Sequence, residues 1–92
     1  VISNAKLAQI VQRVEHQEIN GQLLSHLRRV YPELHFTYCL DADVIEEVPP
    51  VEKRSAFNVY LVDGREHCLR LTTDHNIATG VVLAAVMDED DS

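Results

Sequence analysis

Two cysteines, Cys39 and Cys68, and five histidines have the widest chemical reach in this 92-residue chain, since thiolate and imidazole act as metal ligands, nucleophiles and proton carriers. Their spacing restricts them. Zinc asks for four ligands on a tetrahedron, and no C-x-x-C or H-x-x-x-H pair occurs. His35 and Cys39 would lie about 13 Å apart on one strand, too far to share an ion. Cys39, Cys68 and His75 could converge only from separate elements, and the commoner role of such thiols is to pack on a sheet, so no metal and no cofactor is expected. Asp41, Asp43 and Glu52 match three positions of a calcium loop. Ile45 then falls on a ligand position and Glu46 where the turn requires glycine.

Nucleophilic catalysis meets a similar obstacle. His67 and Cys68 are adjacent, and neighbours on a strand point to opposite faces, so one cannot act as base for the other. Asp74-His75-Asn76 reads as a turn, with Asp74 as the turn residue. The only glycines, Gly21, Gly64 and Gly80, make no phosphate-binding motif. The chain is therefore read as non-enzymatic.

What gathers these residues is alternation. In the runs 35–40, 57–62 and 67–71, large apolar side chains fall on one side, and His35, Thr37, Cys39, Asn58, Tyr60, Cys68 and Arg70 fall on the other. An arginine beside an amide and a phenol can receive a carboxylate or phosphate through planar hydrogen bonds. The simpler reading is a cross-strand pair of Asn58 with Arg70 on a solvated face. In a plain meander Cys39 and Cys68 lie about 10 Å apart, beyond disulfide reach; they would meet only if the first strand lay beside the third.

The elements that must position this face follow from periodicity. Leu7, Ile10, Val11 and Val14 have helical spacing, with Ser3 or Asn4 as cap, over about 4–15. Ile19, Leu23, Leu24, Leu27, Val30 and Tyr31 form a second stripe on nearly the opposite side, so one straight helix cannot bury both. Asn20 is placed to cap a second helix over about 21–31, with Ile19 and Leu24 as a hydrophobic staple and Pro32 as its stop. Strands are expected over about 34–40, 56–62 and 66–72. Residues 41–55, with Pro49 and Pro50, form a long connection.

The turn at Asp63-Gly64-Arg65 suits a three-residue hairpin loop. That loop pairs Leu61 with His67, Val59 with Leu69, Phe57 with Leu71, Tyr60 with Cys68 and Asn58 with Arg70. Residues 80–87 are read as a fourth strand returning on the third through 73–79, preferred over a helix because of Gly80 and the β-branched Val81 and Val82. Residues 88–92 form an acidic tail.

Composition bounds the function. The net charge of −7 comes with scattered basic residues, which disfavours nucleic acid and anionic membranes as partners. An apolar share of 46% supports one folded domain over 1–92, and no run approaches membrane-spanning length. Two cysteines make no disulfide scaffold, and Val1 to Val14 is amphipathic rather than a signal peptide, so a soluble, cytoplasmic protein is expected.

The expected fold is α+β: two N-terminal helices on one face of a mostly antiparallel sheet of three or four strands. The expected function is a small soluble non-catalytic binding or accessory module. It would act by protein–protein contact or self-association on a sheet face or edge. The alternative is a small-molecule, metal or thiol-redox site centred on Cys39, Cys68, Tyr60 and Arg70.

Overall fold

A computed structural model describes residues 2–15, 17–44, 47–64 and 70–86. Helices α1 (Asn4–Glu15) and α2 (Gly21–Val30) precede β1 (His35–Leu40), a 3-10 turn at Asp41–Asp43, β2 (Glu52–Lys53), β3 (Phe57–Asp63), β4 (Arg70–Thr72) and β5 (Gly80–Ala85). The fold is α+β, with a mixed sheet that is antiparallel apart from the parallel pair of β1 and β5.

The helices begin where side chains satisfy their first amides. Ser3 Oγ accepts from Lys6 N at 3.1 Å, and Asn20 Oδ1 accepts from Leu23 N at 2.9 Å. Between them the chain turns, and Gln17 Nε2 donates to the Arg13 carbonyl at 2.7 Å. Leu7, Ile10, Val11 and Val14 of α1 and Leu23, Leu24 and Leu27 of α2 are buried in one cluster with Phe36, Val59, Leu61, Val81 and Leu83 of the sheet. Each such side chain contributes about 1.5–3 kcal/mol of transfer free energy, before the opposing entropy. Ile19 packs against the same cluster, and the Tyr31 ring tilts onto Phe36 at 6.2 Å.

The order of the sheet differs from a meander. It runs β1-β5-β3-β2, and β4 also pairs with β3. The last strand therefore does not return on β4 but inserts between β1 and β3, so β1 is neighbour to neither of the strands expected beside it. The physical reason is that β5 is apolar toward both faces: Val81, Leu83 and Ala84 are all buried, and a strand with two faces to cover belongs in the middle.

Thr79 sets the entry of β5. Its amide donates to Val62 O at 2.8 Å, its hydroxyl accepts from Gly64 N at 2.9 Å, and its carbonyl accepts from His35 N at 3.1 Å. A Cβ on Gly80 would lie 2.6 Å from His35 O, so this junction requires glycine.

The hairpin register is also corrected. Leu61, Val62 and Asp63 pair with Thr72, Leu71 and Arg70, in place of the expected Phe57 with Leu71 and Asn58 with Arg70. β5 occupies one edge of β3 from Phe57 to Val62, while β2 takes Asn58 and Val59 on the other, so β4 is left only the end of the strand. The expected partners His67, Cys68 and Leu69 lie outside the described residues, as does the acidic tail.

Candidate functional site

Strand partners share a face. On the side away from the helices, Thr37 of β1 therefore lies in a row with Val82 and Tyr60, and Cys39 in a row with Ala84 and Asn58. The 3-10 turn after β1 folds onto these lower rows. Asp41 Oδ1 accepts from Asn58 Nδ2 at 2.9 Å and from the Tyr60 hydroxyl at 3.0 Å. Tyr60, only 6% exposed, is thus sealed rather than presented.

The electrostatics follow from this closure. Burial first, and then the bond to Asp41 and its charge, push the Tyr60 hydroxyl above the ordinary phenol range. Cys39 carries a free thiol, and burial, followed by the charges of Asp43 and Asp41, pushes it up as well. A thiol held in its protonated form is a poor nucleophile and a poor metal ligand. The arrangement locks a loop to a sheet and supplies no activated group.

Of the residues singled out from the sequence, Cys39, Asn58 and Tyr60 come together, but around Asp41. In the sequence Asp41 stands out only as one position of an incomplete calcium loop; the signal for this role is its place directly after the strand that carries Cys39. Arg70 stands opposite Asp63, on the side of the sheet that carries Val59 and Leu61, so it neither pairs with Asn58 nor shares the face of Cys39 and Tyr60. His35 and Thr37 are exposed farther up β1, and Cys68 lies outside the described residues.

His75 does not return over the sheet. Its Nδ1 is 2.8 Å from the Ile2 carbonyl, and its own carbonyl accepts from Ile2 N at 2.9 Å, which ties it to the N-terminal segment. Asp74 Oδ1 accepts from Asn76 N at 2.9 Å, the bond of an Asx turn. Among the described residues no three His, Cys, Asp or Glu side chains are grouped to hold a metal ion.

Among the described residues two surfaces remain open. One is a groove of about 750 Å³ near the entry of β5, whose lining draws on His35, Thr37, Val62 and Val82 of this face and on Arg28, Phe36 and Val81 of the helix side. The other surface is the β1 edge, the terminal strand of the sheet, where Tyr38 is 49% and Leu40 43% exposed. Arg28 Nη2 reaches this strand and donates to Phe36 O at 2.8 Å.

Residues 8–86 match the model of a family of unknown function, DUF6129. The chain belongs to that family. The matched span takes in α2 and all five strands, and with them the closed cluster, the groove and the open edge. No curated protein and no solved structure matches the chain. No described helix is long and apolar enough to cross a membrane.

Proposed function

We propose that this protein is a small, non-catalytic binding module that works through the open edge of β1, and that its partner there is a second copy of the same chain. The supporting observation is the terminal position of β1 with Tyr38 and Leu40 uncovered. Both share a face with buried Phe36, so the apolar stripe of β1 continues beyond the part that the helices cover.

The backbone is ready to pair. In a parallel ladder the amide and carbonyl of one residue point the same way, and His35 N points toward β5. Residues 35, 37 and 39 therefore serve β5, and Phe36, Tyr38 and Leu40 direct their groups outward. Arg28 caps the Phe36 carbonyl, which leaves Tyr38 and Leu40 as the addition site.

Charge favours self-pairing. Arg28 reaches the start of the edge and Asp41 and Asp43 follow its end, so an antiparallel copy would set each basic end beside an acidic one. A reducing, cytoplasmic setting is part of this reading and accords with the free Cys39 thiol.

Sedimentation equilibrium of the wild type and of Tyr38→Lys and Leu40→Lys tests the proposal. The expected result is a wild-type dimer whose dissociation constant rises about tenfold or more in either variant. A wild type that stays monomeric to roughly 1 mM, or variants that dimerise equally well, would overturn it.

A further inference from the structure

We infer that two copies of the chain pair antiparallel along β1 about a two-fold axis beside Cys39, so that Tyr38 of each copy stands opposite Leu40 of the other and the two Cys39 residues face one another. This rests on the self-pairing proposed above and specifies its register.

Parity limits the choice. Phe36, Tyr38 and Leu40 direct their backbone groups outward, and in an antiparallel pair the residues that exchange both hydrogen bonds stand directly opposite. The two-fold axis then passes beside one residue of the strand. Axes at Phe36, Thr37 and Tyr38 all draw on the Phe36 carbonyl, which already accepts from Arg28 Nη2 at 2.8 Å, with that side chain lying across the same stretch of the edge. An axis at Leu40 pairs Leu40 with itself and Tyr38 with Ala42, which belongs to the 3-10 turn rather than to the strand. The axis at Cys39 pairs Tyr38 with Leu40 in both directions, and it satisfies every outward amide and carbonyl of these two residues without calling on Phe36.

The side chains agree with this register. Tyr38 and Leu40 are exposed on the face that carries buried Phe36, and across the axis each would cover the other. Arg28, fixed at Phe36, comes level with Ala42 of the second copy, between Asp41 and Asp43, and it makes no ion pair among the described residues of its own chain. On the opposite face the two Cys39 residues form a non-hydrogen-bonded pair, with Cα atoms about 4.5 Å apart, inside the range that a disulfide spans. The Cys39 thiol is free, so it marks the axis. Thr37 would lie about 13 Å along the strand from Thr37 of the other copy, beyond that range.

Diamide oxidation followed by mass-spectrometric peptide mapping tests the register, and sedimentation equilibrium of the same protein tests the pairing on which it rests. Diamide takes up the two protons and two electrons that a pair of thiols gives up as the disulfide forms. In the wild type a link between Cys39 of one copy and Cys39 of the other is expected. It should form about tenfold or more faster than the link at position 37 in the double variant Thr37→Cys, Cys39→Ser, although position 37 is the more exposed of the two. The register is overturned, with the edge contact intact, if the wild type sediments as a dimer yet forms no link between Cys39 residues, or if the double variant links as fast. A wild type that stays monomeric to roughly 1 mM overturns the register and the edge contact together.

Discussion

Around Asp41 the sheet face away from the helices is closed: one carboxylate oxygen takes hydrogen bonds from Asn58 and Tyr60, and Cys39 lies under the same acidic turn. Farther along the same strands the face is open, with His35 and Thr37 exposed. The strands are shared and alternate alike, so the difference comes from what the chain does after each strand ends. Behind Leu40 it makes a tight turn that brings a carboxylate back onto β3. At the other end, Gly80 lets His35 close tightly on β5, and no described turn folds back over His35 and Thr37. Polar residues on a shared face can thus be a fastening in one half and an available surface in the other.

Three substitutions or conditions would break or sharpen that contrast. The largest effect is expected from Gly80→Val, whose Cβ would meet His35 O at 2.6 Å and separate β1 from β5. Denaturant unfolding should show a loss of about 3 kcal/mol. Asp41→Ala acts on the closed half. It leaves the buried Tyr60 hydroxyl without its acceptor, and a loss of about 1–2 kcal/mol is expected, with amide exchange in residues 41–44 accelerated more than in the helices.

The smallest effect is a pH dependence. Because the Tyr60 hydroxyl is raised in the fold, its contribution to stability is complete below the ordinary phenol range. It is lost as pH climbs through the raised value. The thermal midpoint should fall on the alkaline side, and less steeply in Tyr60→Phe.

Local pattern was sufficient for some of this and not for the rest. The spacing of Leu7, Ile10, Val11 and Val14, and the cap at Asn20, are properties of neighbouring residues, so α1 and α2 were legible without a structure. Alternation likewise placed Cys39, Asn58 and Tyr60 on one face. The order of the strands was not legible, because the pairing of β1 with β5 joins segments far apart in the chain and leaves no mark on either. The one hint was the apolar run from Val81 to Ala85, which has no polar side to give to solvent.

The register error at Arg70 has the same root. Hairpin reasoning treats β3 and β4 as alone, whereas β2 and β5 already hold most of β3. The role of Asp41 was hidden for a further reason. It depends on β1 lying two strands away from β3, at the distance from which a turn can reach Tyr60.

The central place of β5 has a consequence for the order in which the protein forms during synthesis. Both of its neighbours emerge from the ribosome before it does, and until it arrives β1 and β3 each carry an unpaired side along six residues. The helices and the β3–β4 pairing can form early, since their contacts are local, but the sheet cannot close until the last strand is inserted between two that have been waiting. The interval before that insertion is when the chain is most open to pairing with a neighbour, and it is also when the edge of β1 is first exposed.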